Sequence, residues 1–416
     1  MSAFAAIADD LTGACDVAAE LAAAGRRALV AVEPGALVAR GDDGVVVVVN
    51  TQSRALAPAA AAARVRAALG ARPARLVLKK IDTALRGHLG AELDAALDHL
   101  GATGFVVPAI PAAGRVTRGG CQWFGGRLLA ETEFARDPEG PGAVSSVGEV
   151  IARESRRPVA VLARACVRGG ALAVEVGRRR AAGVDCFVVD AESDDDVAGA
   201  VEAITALPGK LCLAGSIALA AALAPRLGNG GLFASPPEPP PPARPALVVN
   251  GSLHSRARAQ VDAVLAAGDA VAITAGAAAG SRPGDVARRA AAELAGGRSV
   301  VLTPPALDGV PSAAALRATE AALAEALAAI VAGVRIGTLV LIGGETSHAI
   351  LRGIGASAIE VHGRVAPLVA CGTILRGAAA GTRLVTKGGS GGAPGVVADW
   401  LATAGRAARH AAEGRA

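Results

Sequence analysis

The segment Phe4-Ala5-Ala6-Ile7-Ala8-Asp9-Asp10-Leu11-Thr12-Gly13-Ala14-Cys15-Asp16 joins a short apolar run to a polar turn, and an Ala/Leu-rich stretch then continues to Ala24. Five apolar residues are strand length, and the stretch from 13 to 24 is helix length. The same unit recurs downstream as 45–49 followed by 57–69, and as 76–79 followed by 89–100. Strand and helix alternating at this spacing build parallel sheets with crossover helices, so the fold class is α/β.

The rhythm breaks once. Over 234–245, seven of twelve residues are proline, a composition that cannot form helix or central strand and favours extended polyproline geometry. The chain accordingly divides into an N-terminal domain (1–233), a Pro-rich linker (234–245) and a C-terminal domain (246–416), each domain of ordinary size. A second α/β pattern follows the linker. Its strand candidates are 246–249, 271–274, 299–302 and 338–342, and 313–332 is a helix candidate.

The 416 residues are 52% hydrophobic and 19% charged, with 42 Lys+Arg against 37 Asp+Glu and a net charge of +5. That balance excludes a disordered chain. No apolar run approaches the roughly 20 residues that span a bilayer, and 1–7 lead to Asp9 and Asp10 without the basic segment or cleavage site of a secretory signal. Six dispersed cysteines suggest neither a disulfide scaffold nor a zinc site, which fits a cytoplasmic protein. Only 2% of residues are aromatic and the arginines are scattered, so stacking platforms for nucleic acid are nearly absent. Neither nucleic acid nor membrane is an expected partner.

Chemistry-bearing side chains gather where the strands end. Asp9, Asp10, Thr12 and Asp16 follow the first strand; Asn50, Thr51, Gln52, Ser53 and Arg54 follow the second; Lys79, Lys80, Asp82, Thr83 and Arg86 follow the third. The carboxyl edge of an open α/β sheet is where ligands bind, and three such clusters in succession exceed what helix capping needs. A fourth cluster, 108–122, adds Arg115, Thr117, Arg118 and Gln122. Together they describe a polar, cationic pocket.

In the C-terminal domain, glycine-bearing turns stand out at Asn250-Gly251-Ser252-Leu253-His254-Ser255, at Gly343-Gly344-Glu345-Thr346-Ser347 and at Lys387-Gly388-Gly389-Ser390. Free backbone amides and hydroxyls before a helix start form anion nests suited to phosphates. His254 is a candidate base or a hydrogen-bonding loop residue. Neither a Walker A loop nor a dinucleotide fingerprint follows a strand.

These motifs, in this order and over nearly the whole chain, resemble the four-carbon acid sugar kinases. The resemblance is carried by Asp9-Asp10-Leu11-Thr12-Gly13-Ala14, Lys80-Ile81-Asp82, Leu85-Arg86-Gly87, Gly114-Arg115, Gly251-Ser252, Gly343-Gly344-Glu345-Thr346-Ser347 and Lys387-Gly388-Gly389. It implies an N-terminal domain that holds a sugar acid such as threonate, erythronate or 3-oxo-tetronate, and a C-terminal domain that holds ATP. Transfer of the γ-phosphate to the 4-hydroxyl is the implied reaction, Mg²⁺ arriving with ATP, and a homodimer is compatible with it. Substrate binding is carried onto Asp9, Asp10, Arg54, Lys80, Asp82, Thr83 and Arg115, and nucleotide binding onto Ser252, His254, Gly343, Gly344, Glu345, Thr346, Lys387, Gly388 and Gly389. Asp82 or Asp10 would take the hydroxyl proton, with Asp82 favoured because a neighbouring Lys keeps it ionised. Metal ligands are not assigned. Two other classes remain: a non-catalytic sugar-acid or nucleotide sensor, separated by the presence of turnover, and a nucleotide-linked dehydrogenase, separated by nicotinamide absorbance.

Overall fold

The computed structural model describes residues 4–35, 45–70, 74–137, 140–227, 239–275, 282–305 and 312–413. Two compact units emerge, one of 1–26 and 33–232, the other of 27–32 and 233–416. Part of the linker segment, 234–238, lies outside the described residues; 239–245 lead without regular structure into the strand Ala246–Asn250.

In the first unit seven parallel strands line up as Val46–Asn50, Phe4–Ala8, Leu76–Lys80, Leu211–Gly215, Thr103–Val107, Cys186–Val189 and Val159–Leu162. Burial on both faces explains their unbroken Val/Leu/Ile runs. The helix Leu11–Ala23 is buried on all sides, which its Ala-rich sequence permits because small side chains let neighbours approach. Phe105 and Phe187, on adjacent strands, stack with centroids 5.5 Å apart. From the first strand the chain steps to the neighbour on one side, Val46–Asn50, and then to the neighbour on the other, Leu76–Lys80. Such a reversal opens a crevice between the carboxyl ends of the strands it separates. Asp9 and Lys80 stand at that crevice.

The second unit repeats the device. Its strand order is Ala270–Thr274, Ser299–Thr303, Ala246–Asn250, Thr338–Ile342, Arg383–Lys387, Val369–Ile374, Ala358–Ala366 and Ala28–Ala31. The first five are parallel, and the rest antiparallel. The reversal falls between Ala246–Asn250 and Thr338–Ile342, whose carboxyl ends carry Gly251 and Gly343. Val248, Val301, Val340 and Val385 of this sheet share a core with Ala257, Val261 and Val264 of the helix Ser255–Ala266 and with Val397 and Leu401.

Two features depart from the sequence reading. The N-terminal domain is not the contiguous stretch 1–233: Arg27–Val32 belongs to the second unit, where Ala28–Ala31 pairs antiparallel with Ala358–Val361 and Arg27 Nε donates to Glu360 Oε1 at 2.9 Å. A four-residue strand whose partner lies so far along the chain leaves no local signal. Second, the polar stretch around Arg115 is a small antiparallel sheet, Arg115–Arg118, Cys121–Phe124 and Arg127–Leu128. Asp190 anchors it by accepting from the amides of Gly119 (2.9 Å) and Gly120 (2.8 Å). No described helix is long and apolar enough to cross a membrane.

Candidate active site

At the crevice of the first unit Arg54 clasps two adjacent carboxylates. Its Nε and Nη2 donate to Asp9 Oδ2 and Oδ1 at 3.0 and 2.9 Å, and Nη1 donates to Asp10 Oδ2 at 3.0 Å. Asp10 also caps the helix Leu11–Ala23, its Oδ1 accepting from Gly13 N at 3.0 Å while Oδ2 accepts from Thr12 Oγ1 at 2.7 Å. All three charged groups are nearly sealed from solvent. Burial opposes the charge on Asp10, but Arg54 and Lys80 outweigh it and hold the carboxyl below its usual range. The same pair of carboxylates outweighs desolvation of Arg54 and raises its pKa well above the ordinary value.

The next strand supplies Lys80, whose Nζ donates to Ile81 O at 2.8 Å, and then Asp82. Arg86 grips Asp82 through Nε to Oδ2 (2.7 Å) and Nη2 to Oδ1 (3.3 Å) and reaches Asp137 Oδ2 at 3.3 Å. Desolvation pushes against ionised Asp82; Arg86, Arg54 and Lys80 prevail and drive it far below the ordinary carboxylate range. Thr83 accepts from Arg115 Nη1 at 2.5 Å, and Arg115 lies over the Phe124 ring at 4.8 Å. Burial lowers the Arg115 pKa, Asp82 working the other way. Gln122 fixes this loop, donating from Nε2 to Thr83 O at 2.9 Å while its Oε1 accepts from Thr117 at 2.7 Å.

All seven expected substrate residues therefore belong to one region. The Arg54 guanidinium holds Asp9 and Asp10 together, while Lys80 bonds to Ile81 O and Arg115 to Thr83 Oγ1. Sequence reasoning missed the Arg86 grip on Asp82 and the buried ion pair of Lys79 with Glu92 beneath the crevice. It also missed His88 and Glu154, which line a cavity of about 350 Å³ beside Arg54.

In the second unit three glycine turns converge from adjacent strands. A Cβ on Gly251 would sit 1.9 Å from Thr346 Oγ1, and one on Gly389 would sit 2.1 Å from Ser252 Oγ. At Gly251 only hydrogen fits, because the Thr346 Cβ would lie 2.5 Å away; at Gly389 the Ser252 hydroxyl would have to turn aside. Gly343 adopts φ +112°, open to glycine alone, and its amide donates to Lys387 O at 2.9 Å. Gly343 is also the N-cap of the helix Gly344–Gly353, with Glu345 and Thr346 in its first turn; that helix end presents amides and a positive dipole end, an anion site by construction. Asn250 Oδ1 accepts from Ser252 N at 3.0 Å, shaping the first turn. Buried Lys387 donates to Gly388 O at 2.6 Å. His254 caps the helix Ser255–Ala266, its Nδ1 accepting from Arg256 N at 3.1 Å. Gln260 was missed; its Nε2 donates to Gly391 O (3.0 Å) and Ala393 O (2.9 Å), pinning the third glycine loop. A cleft of about 380 Å³ opens beside Ser252, lined by Leu265, Ala272, Thr303, Pro304 and Pro305.

The comparisons with known proteins agree with this division. Residues 4–223 match the model of a sugar-binding N-terminal domain, and 247–396 that of a nucleotide-binding C-terminal domain. The class so defined pairs a sugar-binding unit with a nucleotide-binding one. The chain is 32% identical to D-threonate kinase of Salmonella typhimurium over 95% of its own length and 96% of the relative's. It is 32% identical to D-erythronate kinase of Heliobacterium modesticaldum, over 94% of each. The crystal structure of Haemophilus influenzae protein HI1011 shares the fold at a TM-score of 0.72, with 20% identity over 96% of this chain and all of that one. The chain belongs to the four-carbon acid sugar kinase family.

Proposed function

We propose that the protein transfers the γ-phosphate of ATP to the 4-hydroxyl of a four-carbon sugar acid of the threonate, erythronate or 3-oxo-tetronate type. The observation that carries the reading is the pair of strand-order reversals, one edged by Asp9, Asp10, Lys80 and Asp82 and the other by three interlocked glycine turns. Phosphoryl transfer asks the protein for placement and charge stabilisation more than for covalent chemistry. In the first unit, Asp10 and Asp82 are charged acceptors for substrate hydroxyls, Thr83 adds a hydroxyl, and Lys80 with Arg115 faces the substrate carboxylate. In the second, the amides around Gly343, Gly344 and Gly389 with Ser252 and Thr346 receive the phosphates, and the cleft beside Ser252, whose lining mixes Leu265, Pro304 and Pro305 with Asn250, Arg258 and Asp262, receives the nucleoside. Mg²⁺ in this reading is carried on the nucleotide, which leaves one or two positions for hard protein oxygens such as Thr346 or Glu345.

None of the six described cysteines forms a disulfide, in keeping with the cytoplasmic setting we assign. A homodimer belongs to the same reading and is checked by light scattering. The deciding experiment measures ADP release with Mg-ATP against D- and L-threonate, D- and L-erythronate and 3-oxo-tetronates, with a no-substrate control. Turnover with one acid supports the reading and names the substrate; silence across the panel, with nucleotide still bound, favours a sensor.

A further inference from the structure

The cavity beside the acid cluster is lined by Arg54, Gly87, His88, Arg153 and Glu154. It shares a wall with the cluster, since a Cβ on Gly87 would lie 3.2 Å from Arg54 Cγ and 3.5 Å from Asp9 Oδ2. His88 Nδ1 lies 2.7 Å from Glu154 Oε1, and Glu154 Oε2 accepts from Ala91 N at 3.3 Å. An ionised carboxylate only accepts, so the bond puts the imidazole proton on Nδ1 and leaves the Nε2 lone pair free to act. The ring does no capping work: His88 precedes the helix Leu89–Leu100 without a side-chain bond to it.

The carboxylates of the crevice are poorly suited to take a proton. Each oxygen of Asp9, Asp10 and Asp82 faces a guanidinium nitrogen of Arg54 or Arg86 at 2.7–3.3 Å, and Asp10 and Asp82 are both held below the usual range. General bases work best when their basicity is near the operating pH.

We propose that His88, oriented by Glu154, accepts the proton of the substrate hydroxyl during phosphoryl transfer; this rests on the kinase reading above. As the hydroxyl oxygen bonds to the γ-phosphorus, its proton passes to His88 Nε2. The bond from that phosphorus to the bridging oxygen breaks with its electron pair leaving on ADP, and the imidazolium then returns its proton to water. Glu154 is a positioning residue. The charged groups that line the cavity with His88 are Glu154, which bonds its ring, Arg153, from the turn after the helix Val147–Ala152, and Arg54, from the turn after Val46–Asn50.

The test measures steady-state ADP release from pH 5 to 9 for the wild type, His88→Ala and Glu154→Gln, with and without added imidazole. A protonated imidazole cannot accept, so wild-type kcat/KM should fall toward acid. His88→Ala should lose about 10²–10⁴-fold in kcat, keep the KM for ATP, lose the acid limb and regain turnover with imidazole. Glu154→Gln should lose less and shift that limb. Wild-type kcat in His88→Ala, or a slow variant with an intact acid limb and no rescue, overturns the proposal. Should His88→Ala not fold, an unshifted limb in Glu154→Gln overturns it. A wild type silent on every sugar acid defeats the kinase reading itself, and the proposal with it.

Discussion

Removing the Arg54 side chain is the most telling single perturbation of the first unit. The guanidinium makes three hydrogen bonds of 2.9–3.0 Å to two neighbouring carboxylates, and its side chain is only 10% exposed. Arg54→Ala would leave Asp9 and Asp10 buried side by side with Lys80 as partial compensation. Breaking a buried ion pair from one side costs about 3–5 kcal/mol, because the surviving charge is stranded out of water. For a unit of this size each kcal/mol moves Tm by about 2–4 °C, so a drop of roughly 6–20 °C is expected at pH 7. Arg54→Lys should recover only part, since an ammonium cannot fork across two carboxylates. The pH dependence has a definite sign. The folded pKa of Asp10 is depressed, so its contribution is complete above the unfolded value near 3.9 and is lost as pH falls through the lower folded value. The gap between wild type and Arg54→Ala should therefore narrow below about pH 4. Thermal melts followed by circular dichroism at pH 7 and at pH 4 read both effects. A shift under about 2 °C at neutral pH would refute the claim that this cluster is held together by Arg54.

Two further outcomes bear on the second unit and on the core. Gly251→Ala drives a methyl into Thr346, whose Cβ would lie 2.5 Å away and cannot rotate aside; overpacking of about 1–3 kcal/mol should weaken ATP binding roughly 5–150-fold by calorimetry. Unchanged affinity in the single variant would contradict the interlocked turns. Of the cysteines, Cys15, Cys186, Cys212 and Cys371 are buried, and burial pushes the last three thiols up to about 12; a thiol reagent should label at most Cys121 and Cys166 in the native protein, the others only after denaturant, and a fast burst exceeding two thiols would contradict the packing.

The first-unit site is readable in the sequence because its residues follow strands directly: Asp9, Lys80 and Asp82 are each within two residues of a strand end, and parallel topology brings such ends together. Side chains that reach the site from elsewhere left less of a mark. Glu154 meets His88 across 66 residues, and Gln122, visible as part of a polar cluster, reaches Thr83 from a small antiparallel sheet that resembles a loop when Gly and Pro crowd it. The polar partner of an arginine is equally hidden: nothing in the sequence around Arg54 tells that its guanidinium bridges Asp9 and Asp10. In the second unit the glycines were visible, but their close contacts, Gly251 against Thr346 and Gly389 against Ser252, are a matter of three dimensions. Gln260 had a weak signal as a polar residue on the buried face of its helix beside Ala257, Val261 and Val264.

The strand Ala28–Ala31 gives the chain an order of assembly. It is made among the first residues yet pairs with Ala358–Val361, and Arg27 and Glu360 are 333 positions apart. At the usual rate of about 5–20 residues per second of synthesis, the emerging segment waits roughly 15–70 s for its partner. Four residues, Ala-Leu-Val-Ala, offer little to misassociate meanwhile. A fragment starting at 233 would lack this strand and leave Ala358–Val361 with an open hydrogen-bonding edge, so the nucleotide-binding half is best produced with its N-terminal strand supplied.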